Sequence, residues 1–333
     1  MNRIFAGETC VVAVGGNAVE SDSEILDQAT VNAAMNNIVE AFGCSRLAVV
    51  HGNGPQYGHL MEQNPELPSN EIIECTQEWI GNALMNGIFS ALGPTNLRLV
   101  SVNMTRVLVD PDDQSFSTPV KGVGQWVEGA DKFIQQEVPY IAHPTKAGFF
   151  REAVASPEPK RIIGVEEIAD AVKRMSIVIC GGGGGVPVVE VKHPPFRVFD
   201  FRMERAFVVN SLPYFLSPPM KAVVDKDRTA NLIGQEIGAR VLVIVTAVDG
   251  FYENYGKPDQ RFVPDMSPDE AFQRVRENSL GKGSMNPKLE AAARFVKSDG
   301  GRTAVITSID ALPRLQEGDF SRATRIIDLR NWF

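Results

Sequence analysis

At 333 residues the chain can bury a large core, either as one α/β domain or as two lobes. Its 44% hydrophobic and 22% charged residues are the proportions of an ordinary globular protein and exclude disorder as the dominant state. A net charge of −8 argues against a nucleic-acid surface, and no apolar run is long enough for a membrane span. Met1–Thr9 lacks the basic start and apolar stretch of a signal peptide, so the cytoplasm is the expected compartment. The spacing of Cys10, Cys44, Cys75 and Cys180 supports neither a disulfide framework nor a CxxC metal site, and reduced thiols are expected.

In chain order, a β-branched run at Cys10–Val14 leads into Gly15-Gly16-Asn17. Val31, Ala34, Met35, Ile38, Val39 and Phe42 then repeat with helical period. A second strand, Leu47–His51, runs into Gly52-Asn53-Gly54, and a third is expected at Leu97–Val102. Asp110–Lys160 opens on Asp-Pro-Asp-Asp and is rich in Pro and Gly, as expected of a small polar subdomain. Val165, Ile168, Ala169 and Val172 restore the helical period before Ser176–Cys180, which ends in the five glycines Gly181–Gly185. Glu190–Met220, with Pro194, Pro195, Pro213, Pro218, Pro219 and six aromatics, reads as a hairpin. Val223-Val224 is strand-like and meets a helix expected near Thr229; Val241–Thr246 and Thr303–Thr307, the latter leading to Ile326-Ile327, complete the strands. Gly283–Lys288 opens a helix over Leu289–Val296, with Ser284 as candidate cap. Strands alternating with amphipathic helices imply an α/β fold, a largely parallel sheet covered on both faces, with ligands at the carboxyl ends of its strands.

Three of those strands end in glycine-rich turns. Glycine lets the backbone approach a ligand, and a following helix N-terminus adds partial positive charge, so three such turns on one sheet can build one cradle for a phosphate or carboxylate. Neither GxxxxGK[ST] nor GxGxxG is present, which disfavours a P-loop or a Rossmann dinucleotide site. Asp225-Lys226-Asp227 reads either as a solvated turn or, at the mouth of a parallel sheet, as an ammonium held between two carboxylates. Lys288 likewise reads as solvent-facing at a helix start or as part of the site.

The motifs AVGGNA (Ala13–Ala18), HGNGPQYG (His51–Gly58), GGGGVPVV (Gly182–Val189), AVVDKD (Ala222–Asp227), VIVTAVDGFYENYGKPDQ (Val243–Gln260) and GSMNPK (Gly283–Lys288) resemble, in order, those of carbamate kinases. CTQEWIG (Cys75–Gly81), DPDDQSFSTPVKGVG (Asp110–Gly124) and SPEPKRI (Ser156–Ile162) extend the resemblance over nearly the whole chain. It implies a single amino acid kinase domain over 1–333, an open three-layer αβα sandwich with a small protruding lid at 111–160 and a hairpin insertion at 190–220. It also implies a homodimer, a place in arginine metabolism, and reversible phosphoryl transfer between ATP and carbamate, giving ADP and carbamoyl phosphate. By resemblance, Lys226 and Lys288 contact the transferring phosphate, Asp227 organises them, Lys121 reaches over from the lid, and Mg²⁺ bridges the nucleotide phosphates. Gly15, Gly16, Asn17, Gly52, Asn53, Gly54, Gly182, Gly183 and Gly184 line the carbamate and phosphate pocket, with HGNGPQYG as one wall and the other two turns opposite. Thr246, Val248, Asp249, Tyr252, Met285 and Lys288 fall where the family holds the nucleotide.

The chain departs from the family where GRG(W/Y)RR is usual: it has Lys146-Ala147-Gly148-Phe149-Phe150-Arg151-Glu152, in which Arg151 stands for one of the arginines. Asn82 replaces a tyrosine, and Glu190–Met220 is longer than the usual hairpin. These differences bear on the acid acceptor more than on the reaction. A kinase for another small carboxylate and a non-catalytic nucleotide or metabolite sensor are the rival readings. Retention of Lys121, Lys226, Asp227 and Lys288 disfavours the sensor, since a binding protein needs no charges aimed at a transferring group.

Overall fold

The alternation of apolar runs and amphipathic stretches is realised as a sheet between helices. A computed structural model describes residues 4–21, 24–143, 146–200, 205–215, 221–277 and 285–328, with the backbone alone described at 17, 191–200 and 205–215. β1 (Thr9–Val14) leads through a 3-10 turn into α1 (Gln28–Phe42), and β2 (Arg46–His51) into α2 (Gly54–Gln63) and α3 (Ser69–Leu92). Then come β3 (Val100–Val102), β4 (Arg106–Val109), α4 (Gln114–Ser117), β5 (Lys121–Gly122), β6 (Val127–Glu128), α5 (Asp131–Gln135), β7 (Tyr140–Ala142), β8 (Phe149–Val154) and β9 (Pro159–Ile163). α6 (Val165–Lys173) and β10 (Ile177–Cys180) precede the five-glycine turn; β11 (Val186–Asp200), β12 (Arg205–Phe215) and α7 (Lys226–Glu236) follow it. The last third holds β13 (Val241–Thr246), β14 (Phe251–Glu253), β15 (Arg261–Val263), β16 (Asp265–Met266), α8 (Pro268–Arg276), α9 (Met285–Ser298), β17 (Thr303–Ser308), α10 (Leu312–Gln316) and β18 (Ala323–Ile327).

Eight strands form the central sheet in the order β16-β18-β17-β13-β1-β2-β10-β3. Its pairings are parallel except β17 with β18. Strand side chains alternate between faces, and here both faces are buried, which is why the strands read as continuous apolar runs. Val11, Ala13, Ala48 and Val50 pack with Ile233 of α7 and Phe295 of α9. Cys10, Val12, Val14, Leu47 and Val49 pack with Met35 of α1 and Leu84 of α3 on the other side. The result is the expected three-layer αβα sandwich. All four cysteines are free thiols, and among the described residues no helix is long and apolar enough to cross a membrane.

Three expectations are corrected. Of Leu97–Val102 only Val100–Val102 is strand, and Leu97 and Leu99 are 92% and 72% exposed. Arg98 ties the segment to the residues preceding β2 and β10, its guanidinium donating to the carbonyls of Gly43, Ser45 and Met175 at 2.5, 2.8 and 2.8 Å, and the Leu99 carbonyl accepts the Ile177 amide at 2.8 Å. Val223-Val224 joins no strand; a single bridge pairs Ala222 with Ala155. The helix expected near Thr229 begins at Lys226, because the Asp225 carboxylate caps it by accepting the Asp227 amide at 2.9 Å.

A second sheet, ordered β12-β11-β4-β9, carries the long antiparallel hairpin β11–β12. The hairpin starts at Val186, earlier than Glu190, and its register shifts between Lys192 and Phe196, where Pro194 and Pro195 cannot donate to a ladder. What its aromatic side chains pack against, and residues 201–204 and 216–220, lie outside the described residues. Between Asp110 and Glu158 the chain forms a small sheet in which β8 pairs with β5, β6 and β7. Its buried aromatic is Phe133, and the exposed Tyr140 lies 5.6 Å from both Phe133 and Phe150, while Val123 and Val154 pack on Tyr57, Ile72 and Ile73 of α2 and α3.

Candidate active site

The glycine turns after β1, β2 and β10 lie side by side, because those strands are neighbours in the sheet. The β2 turn sits between the other two and not opposite them. The Gly52 amide donates to the Val14 carbonyl at 3.0 Å. A Cβ added at Gly183 would lie 2.3 Å from Asn53 Nδ2, and one at Gly184 2.1 Å from the Val224 carbonyl oxygen. With φ of +61° and +86°, these two positions exclude side chains by conformation and by space. Asn53 does not cap α2; its amide donates to Thr76 Oγ1 at 2.9 Å, so the helix that Gly54 opens has no side-chain acceptor at its start. Uncapped first-turn amides are suited to an anion.

The five-glycine turn is fastened by residues that its own sequence does not announce. Gln77 of α3 accepts the Thr105 amide at 2.8 Å and donates to the Thr105 carbonyl at 3.1 Å. Thr105 Oγ1 accepts the Gly181 amide at 2.8 Å, and Thr229 Oγ1 donates to the Gly184 carbonyl at 2.7 Å. Gln77 falls within the CTQEWIG motif but Thr105 in none, and no local pattern gives either a role; their partners are far along the chain. A further unforeseen residue is Glu20, whose Oε1 would lie 2.8 Å from a Cβ on Gly16. Burial raises its pKa.

Over these turns sits a cluster of charges. The stem of Lys226 lies in the trough between the β1 and β2 turns, 3.1 Å from a Cβ placed on Gly52 and 3.9 Å from one on Gly15. Its ammonium pairs with Asp227 Oδ1. Lys288, on α9, pairs with Asp227 Oδ2 at 2.9 Å. Lys121, on β5 of the small sheet, reaches Asp225 Oδ2. The bracketing of Lys226 by both neighbouring aspartates is therefore corrected: Asp227 takes Lys226, while Asp225 takes Lys121. The solvent-facing reading of Lys288 also falls, since Lys288 is 9% and Asp227 2% exposed. Removing charges from water is costly, and only pairing and hydrogen bonding make such burial tolerable.

The balance of burial and pairing fixes the charge states. For Asp225 burial pushes the pKa up, but Lys121, Lys226 and Lys288 outweigh it and hold it well below the usual carboxylate range. Asp227 is likewise lowered, Lys226 and Lys288 overcoming burial. Burial lowers Lys226 despite Asp227, whereas Asp227 raises Lys288 in spite of burial. Three ammoniums thus face two carboxylates, leaving one positive charge in excess beside three glycine turns.

The remaining sequence-predicted residues form other groups. Thr246 ends β13 and is half-buried, as are Val248 and Asp249 just beyond it. The Asp249 carboxylate takes two bonds from Arg322, at 2.7 and 2.8 Å, and one from Ser308 at 2.6 Å, tying the ends of β13 and β17 to the segment before β18. The Tyr252 ring lies 5.2 Å from Phe262. Met285 opens α9 one turn before Lys288. Gly283, Ser284 and the Asn17 side chain lie outside the described residues. Arg151 does not join the cluster. On β8 it pairs with Ile141 while Lys121 pairs with Val154, and alternation sends the two cations to opposite faces of the small sheet. Arg151 instead stacks 4.3 Å from the Trp126 ring.

The chain belongs to the amino acid kinase family, which it matches over residues 8–308. It is 34% identical to carbamate kinase 2 of Enterococcus faecalis over 323 residues, covering 92% of this chain and 96% of the relative. It is 32% identical to the carbamate kinase of Thermoplasma acidophilum over 310 residues, covering 90% and 93%. Among solved structures, a carbamate kinase from Giardia lamblia bound to AMP-PNP superposes with a TM-score of 0.76 at 26% identity, over 97% of this chain and 99% of that one. Fold, site and relatives together make the protein a carbamate kinase-like phosphotransferase.

Proposed function

We propose that the protein transfers a phosphoryl group reversibly between ATP and carbamate, working in the cytoplasm towards ATP from carbamoyl phosphate and ADP, in arginine metabolism. The observation that carries this reading is the cluster of three lysines on two aspartates at the mouths of three glycine turns. Phosphoryl transfer needs in-line positioning and positive charge on the equatorial oxygens. Lys226 and Lys288 supply that charge from the body and Lys121 from the small sheet, which acts as a lid. Asp227 holds the two body lysines apart and in place. Amides of the turns at Gly15–Asn17, Gly52–Gly54 and Gly182–Gly184 take the carbamoyl head and the phosphate. Thr246, Val248, Asp249, Tyr252 and Met285 surround the nucleotide, with Asp249 acting through the loop it anchors because its carboxylate is already taken.

Magnesium fits this site as a companion of the nucleotide. Among the described residues no group of three acidic, histidine or cysteine side chains could hold a metal. Asp225 and Asp227 are engaged by lysines, so the ion would rest on phosphate oxygens with at most one of these carboxylates. Bound there, it would neutralise charge on the nucleotide phosphates. A homodimer would cover apolar side chains exposed on α3, Trp79 and Phe89, and in the segment leading to β3, Leu97 and Leu99.

The test is ATP formation from ADP with a panel of acyl phosphates. Carbamoyl phosphate should be used far better than acetyl phosphate or amino-acid acyl phosphates, because a site that pairs N–H donors rejects analogues without them by up to about 10⁴–10⁵. More efficient turnover of another acyl phosphate would remove carbamate and keep the kinase. No transfer from any of them would revive the sensor reading.

A further inference from the structure

Beside the catalytic cluster lies a second set of charges that phosphoryl transfer does not use. Glu158 stands where the chain leaves the small sheet for β9. Its Oε2 lies 3.1 Å from Arg228 Nη1 and its Oε1 3.1 Å from Arg294 Nη1. The second nitrogens of the same two arginines reach Glu290: Arg294 Nη2 at 2.7 Å from Oε1, and Arg228 Nη2 at 3.5 Å from Oε2. The four side chains close a ring in which each carboxylate oxygen has its own arginine and each arginine bridges both carboxylates. Arg228 follows Asp227 on α7, and Glu290 lies two residues beyond Lys288 on α9. The ring therefore runs alongside the Lys288–Asp227 pair as a second tie between the same two helices.

The backbone of Glu158 is held as firmly. Its amide donates to Asp113 Oδ2 at 2.9 Å, and Asp113 Oδ1 accepts the Ser115 amide at 2.8 Å. Asp113 lies on the incoming side of the small sheet and Glu158 on the outgoing side, so both connections meet here. As a source of stability the ring is weak, because its side chains are 20–44% exposed and such pairs are screened. As a source of geometry it is strong, since a planar guanidinium that forks between two carboxylates fixes angle as well as distance.

We propose that Glu158 is a positioning residue: through the four-charge ring it fixes the base of the small sheet to α7 and α9, and so sets where Lys121 stands relative to Asp227 and Lys288. This rests on the reading that Lys121 acts on the transferring phosphoryl group. Misplacing a reacting or stabilising group by about 1 Å can cost up to 10²-fold, and a loosened base displaces Lys121 on that scale.

The experiment is a cycle of Glu158→Gln and Arg294→Lys, each made alone and with Lys121→Ala, assayed with the acyl phosphate that the wild type uses best. Arg294→Lys keeps the charge and loses the bridge. Each single variant is expected to lower kcat about tenfold, with KM for ADP and the thermal midpoint close to wild type. In the Lys121→Ala background neither should lower kcat further. Unchanged kcat in the folded single variants, losses that add to that of Lys121→Ala, or no effect of Lys121→Ala itself would each overturn the proposal. Failure of the carbamate reading shows separately, as a wild type that prefers another acyl phosphate.

Discussion

Lys226 and Lys121 bring the same charge to one cluster from two regions built in opposite ways. Lys226 opens α7, and its stem lies in a trough walled by backbone, with the side chain 13% exposed. Lys121 stands on a two-residue strand, 36% exposed, and reaches 104 residues across the chain to Asp225. The body's lysine is held by packing on all sides; the small sheet's lysine is held by one ion pair and the sheet's attachment. Fixed groups suit the stabilisation of a transition state, because they need no reorganisation when charge develops. A cation on a separate element suits a contact made when substrate is present.

The largest effect should come from the fixed side. Lys226→Ala is expected to lower turnover by roughly 10²–10³, the usual cost of losing one preorganised donor. The fold should survive, since Asp227 keeps Lys288. Steady-state kinetics beside a thermal melt checks both halves. Near-wild-type turnover in a folded variant would leave Lys226 as a buried structural partner of Asp227 with no part in the transfer.

Lys121→Ala should cost less, about 10–10²-fold in kcat, because a more exposed contact acts in a higher effective dielectric. Its activity should also respond differently to salt. Wild-type turnover is expected to fall as ionic strength screens the Lys121 contact, while the Lys121→Ala protein loses less over the same range. If the two proteins showed equal salt dependence, Lys121 would not be the exposed partner of the comparison.

The fixed side was also the more legible in sequence. The β1, β2 and β10 runs with their glycine turns could be read because each is local: an apolar strand followed by residues that free the backbone. Asp227 and Lys226 were legible for the same reason. The pairing of Asp225 with Lys121 was not, since it depends on how the small sheet docks. Nor was the support that Gln77 and Thr105 give the five-glycine turn, which joins residues 28 and 76 apart. Arg151 matches one arginine of the family's lid motif, but which face of the small sheet it takes relative to Lys121 is fixed by register, which motifs do not carry.

His51 gives the finest test of how rigid the body is. It ends β2 beneath the glycine turns, fully buried, and a Cβ on Gly182 would come within 2.6 Å of its Nε2. Nδ1 lies 3.1 Å from the Gly52 carbonyl oxygen, which can only accept, so Nδ1 carries the proton and donates. Burial pushes the pKa down from 6.5 to about 4, partly opposed by that hydrogen bond. An unfolded chain binds a proton here as pH falls through 6.5, and the folded chain does not until about 4. This stability is complete above 6.5 and declines across that window, by about 0.8 kcal/mol at pH 6 and roughly 3 kcal/mol at pH 4. Denaturant unfolding at pH 8 and pH 6 should show the smaller loss. The NMR signal of the His51 ring should stay unshifted between pH 8 and 5.5 while an exposed imidazole titrates. A His51 midpoint near 6.5 would mean that water reaches the floor of the cradle, and the contrast between a fixed body and a separately attached small sheet would weaken at its centre.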